Sequence, residues 1–170
     1  MMHMKTEQQI RISKITLNIG VGKDENQLKK GLKLLQLISP QMPVKTVARK
    51  RIPAWGLRPG LAIGCKVTLR KETEALLRRL LAAKENTLQR GNFDLQGNFS
   101  FGIPEYIDIT GLSYDPELKI MGLEAAVTLE RPGYRVVRRK IRPAQVGKRQ
   151  RITPEQAVQY VEGLGVKVES

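Results

Sequence analysis

The chain has 170 residues and a formal net charge of +14, and its hydrophobic fraction of 41% is too high for a disordered protein. A single cysteine and a single histidine exclude an internal disulfide, a cysteine metal cluster and most histidine-based catalysis. No apolar run approaches the roughly 20 residues of a membrane span, and the N-terminus has no segment of signal-peptide type. We therefore expect one cytoplasmic domain, 1–170, without cofactor, metal or membrane partner.

The positive charge is segregated from the acids along the chain. Residues 26–71 contain eleven Lys or Arg and no acid, and residues 131–154 contain nine more and again no acid. Such segregation produces a strong positive field, whose natural partner is a polyanion such as nucleic acid. A merely solubilising surface is the alternative, which the lack of acids for local pairing disfavours.

The first part of the chain combines strands with one helix. Apolar residues at every second position predict a strand at 15–21, and Asp24 is suited to cap a helix over 25–38. A short strand is expected at 44–47. Two prolines, two glycines and no periodicity then predict a loop over 48–60.

The second part begins with the clearest strand, 61–70, in which Cys65 occupies an apolar position and is therefore expected in the core. Thr153 and Gln156 form a capping-box pattern around Pro154, which marks the start of a last helix. The other expected elements are a helix at 72–83, strands at 99–103 and 121–129, a basic extended segment at 131–151 and a short strand at 166–168.

This mixture predicts an α+β fold, with a mainly antiparallel sheet and helices packed on one face. If the two best strands share a sheet, their polar positions coincide on the other face. An open sheet face that carries cations, hydroxyls and an amide can bind RNA. Without the surrounding positive charge, such a polar face would more often be an ordinary solvated surface. The residues concerned are Lys14, Thr16 and Asn18 on the first strand and Lys66, Thr68 and Arg70 on the third.

No catalytic site is recognisable in the sequence. The segment 20–23 (Gly-Val-Gly-Lys) lacks the spacing and the Ser or Thr of a phosphate-binding loop, and a strand-to-helix turn explains it better. The acids are dispersed and have no histidine or cysteine partner. We therefore expect a structural RNA-binding protein rather than an enzyme. A free-standing RNA chaperone and an RNA-modifying enzyme are the competing hypotheses, and a basic protein of the membrane surface is the weakest one, because neither basic stretch is a long amphipathic helix.

The only tryptophan of the chain lies in the basic loop 48–60. Trp55 is flanked by Pro53 and Gly56. Two roles are open to it, and they are compatible with each other: stacking on an exposed base, and folding back to anchor the loop in one shape.

Five segments, in order over nearly the whole chain, resemble the ribosomal protein L-five (L5) family of the large subunit, which binds 5S rRNA. They are Lys14–Gly22, Pro43–Arg51, Ile63–Arg70, Gly97–Ile103 and Met121–Glu124. Residues 132–151 are absent from bacterial members and resemble the archaeal and eukaryotic form, which indicates an archaeal source.

The resemblance implies a concave antiparallel sheet and a place in the central protuberance, where the family helps to attach 5S rRNA. Asn18, Gln41 and Thr68 match positions of the family's RNA-binding face. The charge of the basic segment adds six expected rRNA contacts, which are Arg138, Arg139, Lys140, Arg142, Lys148 and Arg149.

The resemblance also implies that the loop 48–60 reaches the elbow of P-site tRNA. The expected contacts are Arg49, Lys50, Arg51, Trp55 and Arg58. The implied partners are 5S rRNA, large-subunit rRNA, P-site tRNA, neighbouring ribosomal proteins of the central protuberance and, across an intersubunit bridge, a small-subunit protein.

Overall fold

The computed structural model describes residues 9–169 of the chain; residues 1–8, the segment without signal-peptide character, lie outside this part. The strands are β1 (Arg11–Gly20), β2 (Val44–Val47), β3 (Ala62–Leu69), β4 (Thr87–Gln89), β5 (Phe99–Ile103), β6 (Leu123–Glu130) and β7 (Lys167–Glu169). The helices are α1 (Glu25–Ile38), α2 (Thr73–Ala83), the single-turn α3 (Arg135–Arg138) and α4 (Pro154–Glu162).

Five strands form an antiparallel sheet in the order β2-β3-β1-β6-β5. The central strand β1 pairs with β3 on one side, where Leu17 lies opposite Val67, and with β6 on the other, where Leu17 lies opposite Ala125. The strands β4 and β7 form a separate, parallel pair. The α+β class and the mainly antiparallel sheet are therefore confirmed.

The core lies on one face of this sheet, as the period-two pattern predicts. Ile15, Leu17 and Ile19 of β1 are buried together with the matching positions of the neighbouring strands. The helices α1 and α2 contribute leucines that recur on one side of each helix, because one face of each helix packs on the sheet. These leucines are Leu28, Leu34, Leu35, Leu76, Leu77, Leu80 and Leu81.

Local capping signals place the helix ends. The Asp24 carboxylate accepts hydrogen bonds from the backbone N–H groups of Asn26 (2.8 Å) and Gln27 (3.3 Å), which stabilises the N-terminus of α1. Thr153 and Gln156 form the predicted capping box at the start of α4. The helix expected from residue 72 begins one residue later, because Glu72 has a left-handed backbone with φ 52°.

Two features of the fold differ in detail from the sequence analysis. The strand β4 was not predicted, because only one of its three residues is buried, and its parallel pairing with β7 joins distant parts of the chain, which no local pattern shows. The basic segment 131–151 contains more local structure than an extended chain, namely α3 and a 3-10 turn at Lys148–Gln150.

The helix α1 approaches β3 so closely that Gly31 is in contact with Cys65. A β-carbon added at Gly31 would lie 2.9 Å from the Cys65 sulfur, which is itself fully buried. Burial also raises the pKa of the Cys65 thiol to about 11, so the group stays neutral at physiological pH. Cys65 is thus a packing residue, as predicted.

We predict that Gly31→Ala destabilises the protein, although alanine favours a helix over glycine by roughly 1 kcal/mol, because overpacking costs about 1–3 kcal/mol. In a Cys65→Ala background the same change should be neutral or stabilising, since the sulfur no longer occupies the space. Unfolding in urea of the four variants in this cycle measures the coupling. Equal effects of Gly31→Ala in both backgrounds would contradict the proposed contact.

Candidate nucleic-acid interface

The sheet face opposite the helices is polar, and we call it the open face. It is organised in rows, because residues paired across antiparallel strands share a face. One row contains Asn18 between Lys66 of β3 and Glu124 of β6. The next contains Thr16 between Thr68 and Ala126, with 3.4 Å between the two threonine hydroxyl oxygens.

The predicted face residues of β1 and β3 are therefore brought together. Lys66 is exposed, and Lys14, Thr16, Asn18 and Thr68 are partly exposed, so their polar groups are accessible to a ligand. Arg70, directly after β3, is exposed and lines a cavity together with Lys14. These six residues span two neighbouring strands and present ammonium, guanidinium, hydroxyl and amide groups on one surface.

Gln41 is not on a strand of this face. It is exposed in the connection before β2, and its backbone N–H donates to the Ser39 hydroxyl at 3.1 Å. It lies three residues before Val44, which pairs with Lys66, so at most about 10 Å of chain separates it from the Asn18 row. Gln41 thus borders the open face at its β2 edge.

The open face also includes residues of β5 and β6 that were not predicted as site residues. Ser100, Glu124, Ala126 and Thr128 occupy the polar positions of these strands in register with β1. The same alternation that identified the strands could have identified them. Glu124 is exposed and repels phosphate, so the basic character of the face is concentrated on the β1 and β3 side.

The basic segment 131–151 is folded back on itself by backbone acceptors. The Gln150 side chain donates to the Pro132 carbonyl (2.7 Å), Arg131 donates to the Arg149 carbonyl (2.9 Å), and the Ala144 N–H donates to the Val136 carbonyl (3.2 Å). The six predicted rRNA-contacting cations of this segment, Arg138, Arg139, Lys140, Arg142, Lys148 and Arg149, are all exposed.

Glu130, the last residue of β6, connects the basic segment to the sheet. Its side chain is only 7% exposed and forms ion pairs with Arg138 of α3 and with Arg11 of β1, the latter at 3.0 Å. Arg138 also donates to the Ser13 hydroxyl at 3.4 Å. These contacts place the segment against the Lys14 end of the open face.

The loop 48–60 is anchored by small and aliphatic residues. Ala48 and Leu57 are buried, and the backbone of Ile52 pairs with that of Leu57 across a turn in which Gly56 has φ 60°. Trp55, by contrast, is 67% exposed. Of the two roles open to Trp55, anchoring is therefore excluded, and its indole is available for stacking.

The loop presents its charges to solvent. Arg49, Lys50, Arg51 and Arg58 are all exposed. The Lys23 side chain, from the turn after β1, lies directly over Gly56 and adds a fifth cation to this loop, which was not predicted from the sequence.

Acids from elsewhere in the chain neutralise few of the segregated cations. Lys33 pairs with Asp115 (3.0 Å) and Glu117 (2.7 Å), and Glu117 and Asp115 raise the Lys33 pKa through these hydrogen bonds. Among residues 9–169, Lys33 and Arg138 are the only cations of the two acid-free stretches that form ion pairs. Most of the segregated charge thus faces solvent.

Within the part of the chain that the structure describes, no group of His, Cys, Asp and Glu side chains is arranged to hold a metal ion. In the same residues, no helix has the length and apolarity needed to cross a membrane.

Residues 6–58 match the family described as Ribosomal protein L5, and residues 62–167 match the model for the C-terminus of the same ribosomal family. Large ribosomal subunit protein uL5 of Nanoarchaeum equitans is 51% identical over 162 residues, which cover 94% of this chain and 95% of that protein. The protein of the same name from Methanosphaera stadtmanae is 39% identical over 168 residues, 98% of this chain and 100% of that protein. The one from Sulfurisphaera tokodaii is 44% identical over 154 residues, 89% of this chain and 87% of that protein.

We predict that Glu130→Gln loosens the basic segment while the sheet stays folded. The amide keeps the volume of Glu130 but removes the charge that holds Arg11 and Arg138, both of which are about half exposed and can turn into water. Amide hydrogen exchange in residues 131–151 should accelerate several-fold, since local opening then costs about 1 kcal/mol less.

The control for this experiment is Glu124→Gln, which removes an exposed acid from the same strand. It should leave exchange in residues 131–151 unchanged. Equal exchange rates in the Glu130→Gln variant and the unaltered protein would show that Glu130 does not hold the segment.

Proposed function

Because the chain belongs to the uL5 family of large ribosomal subunit proteins, we propose that it binds 5S rRNA through the open face and contacts P-site tRNA through the loop 48–60. Family membership makes the protein a structural constituent of the large ribosomal subunit, in the cytoplasm, and not an enzyme. Large-subunit rRNA is the further partner that we assign to the basic segment, and neighbouring ribosomal proteins complete its surroundings.

The observation that carries the 5S rRNA assignment is the register of β1 with β3. It places Thr16 beside Thr68 and Asn18 beside Lys66 on one accessible surface. Hydroxyl and amide groups can contact ribose 2′-hydroxyls and base edges, and the ammonium groups of Lys14 and Lys66 can contact phosphates. A backbone framework of two paired strands holds these groups at fixed spacing, which suits a permanent RNA partner.

The basic segment supports a second rRNA contact. Its cations are exposed at one end of the open face, and Glu130 and the internal hydrogen bonds limit its freedom before RNA arrives. A segment that is ordered in advance loses less conformational entropy on binding. We assign it to phosphate contacts, which depend on backbone charge and not on base sequence.

The tRNA assignment depends on the shape and exposure of the loop 48–60. Its cations and Trp55 point away from the core, while Ala48 and Leu57 hold its base. Phosphate contacts made by such a loop are independent of tRNA sequence, as a site that receives every elongator tRNA requires. Trp55 adds a flat apolar surface on which a base or ribose can rest.

We expect the double variant Asn18→Ala with Thr68→Ala to bind 5S rRNA more weakly than the unaltered protein. Each change removes a hydrogen-bonding group worth on the order of 1 kcal/mol, so together they should reduce affinity by roughly tenfold or more at fixed salt. A filter-binding or fluorescence titration with full-length 5S rRNA measures this effect.

A matched double variant, Gln36→Ala with Ser113→Ala, removes an exposed amide and an exposed hydroxyl from other parts of the surface. Its affinity should equal that of the unaltered protein. If the Asn18 and Thr68 variant also binds normally, the open face is not the 5S rRNA site.

Replacing Arg49, Arg51 and Arg58 together by glutamine should leave 5S rRNA incorporation near normal and accelerate tRNA dissociation from the P site. The reason is that the three guanidinium groups lie on the loop and not on the open face. The measurement uses purified large subunits that carry the variant: 5S rRNA is quantified first, and tRNA release from reassembled ribosomes is then timed.

The control variant replaces Lys84, Lys119 and Lys167, three exposed cations outside both basic stretches, by glutamine. It has the same net charge as the loop variant, so a general electrostatic effect would appear in both. Loss of 5S rRNA from the loop variant with unchanged tRNA release would make the loop an assembly element instead.

A further inference from the structure

A cavity of about 670 Å³ lies between the Lys14 end of the open face and the basic segment. We propose that it receives the base of a single unpaired 5S rRNA nucleotide that is turned out of its helix. This inference rests on the proposed binding of 5S rRNA to the open face, with which the cavity is continuous through Lys14, Arg70 and Thr128. Its volume falls within the roughly 300–1,000 Å³ typical of small-molecule sites.

The walls of the cavity suit the flat faces of a base. Leu95, Val137 and Val146 line it, and Leu95 and Val137 are 92% and 48% exposed. An apolar side chain that is almost wholly exposed gains free energy when a planar apolar ligand covers it. Nucleobases supply such a ligand, because both of their faces are apolar while their edges are polar.

Leu95 is held in this position by its own turn. The Asp94 carboxylate accepts hydrogen bonds from the backbone N–H groups of Gln96 (2.8 Å) and Asn98 (2.7 Å) and from the Asn98 side chain (2.9 Å). Gly97 has φ 76° and packs so closely on Ile152 that a β-carbon would clash. The exposed leucine is therefore presented by a rigid turn, so little conformational entropy is lost when a ligand covers it.

The charge of the cavity suits the phosphate attached to that base. Lys14, Arg70, Arg138 and Arg151 line it, against one acid, Glu130. Glu130 is already paired with Arg11 and Arg138. The other lining cations, Lys14, Arg70 and Arg151, therefore give the cavity a positive electrostatic potential. A nucleotide can thus insert its base between the apolar side chains while its phosphate stays at the cationic rim.

The polar groups at the cavity can contact a base edge. The side-chain amides of Gln96 and Gln145 each contain a donor and an acceptor, and Thr128 adds a hydroxyl. Pairing with an unstacked base edge is the usual way in which proteins recognise unpaired RNA nucleotides, whereas paired bases hide those edges. The cavity therefore selects an unpaired nucleotide over a duplex.

The first test replaces Leu95 by serine and Val137 by threonine in the full chain. This variant keeps every charge but removes apolar cover, so its affinity for 5S rRNA should fall roughly tenfold, while the dependence of affinity on salt stays the same. The control changes Leu37 and Ile120 to serine; these side chains are 55% and 64% exposed, do not line the cavity and lie outside the open face and the basic segment. The control should bind normally.

The second test replaces Leu95 by a benzophenone amino acid and crosslinks it to bound 5S rRNA with ultraviolet light. We expect one dominant crosslinked nucleotide, unpaired in the RNA, and no displacement by millimolar AMP, GMP, CMP or UMP, which lack the contacts to the open face. Crosslinks that are spread over paired nucleotides would overturn the assignment, and so would displacement of the RNA by a mononucleotide. The same experiment in purified large subunits would overturn it if the only crosslinks were to a protein.

The two proposals fail in different ways. If the unaltered protein binds 5S rRNA and the Leu95 and Val137 variant binds it equally well, the nucleotide site is wrong while the open face remains. If the unaltered protein does not bind 5S rRNA at all, both proposals are wrong.

Discussion

The pairing register of β1 determines which side chains form the open face. β1 is the central strand, and Ile15, Leu17 and Ile19 are buried against β3 and β6. A slip of one residue would move these side chains into water and bury the Lys14, Thr16 and Asn18 side. Because each large aliphatic side chain gains about 1.5–3 kcal/mol on burial, the core enforces the alignment of Thr16 with Thr68. The polar groups need no stabilising contact with each other to be held at a fixed spacing.

Repulsion between the segregated cations destabilises the folded state, and burial of the core must offset it. Twenty cations occupy two acid-free stretches, and like charges close together destabilise the compact state. Among residues 9–169, only Lys33 and Arg138 of these cations form ion pairs, and each of these pairs also positions an element: Lys33 connects α1 to Asp115 and Glu117, and Arg138 connects α3 to Glu130 of β6. The remaining repulsion is relieved when RNA phosphates replace water and counterions around the cations. Stability and RNA binding are therefore linked through the same charges.

Elements with a local cause could be predicted from the sequence, whereas their positions relative to one another could not. The alternation in residues 61–70, the Asp24 cap and the Thr153 capping box act within a few residues, and each appears where expected. Trp55 is 67% exposed whereas Leu57, two residues later, is buried, and no local pattern distinguishes the two positions. Likewise, Glu130 holds Arg138 through an ion pair that forms only in the folded chain, so the local sequence of the basic segment predicts no more than an extended chain. The position of Glu124 on the open face was not predicted, because it follows from the pairing of β6 with β1 and not from the pattern within β6 alone.

The open face and the loop 48–60 differ in how they are supported, and this difference follows the lifetimes of the RNA partners that we propose for them. The open face belongs to paired strands above a buried core, so moving its groups means breaking the sheet. Such a surface can make many simultaneous contacts without a fresh loss of conformational entropy each time, which suits an RNA that stays bound. The loop 48–60 is fixed only at Ala48, Ile52 and Leu57, and its cations extend on long, mobile side chains. Each of those side chains loses entropy when it meets a phosphate, which keeps the affinity moderate. A tRNA that must leave the ribosome after every cycle requires a contact of this weaker kind.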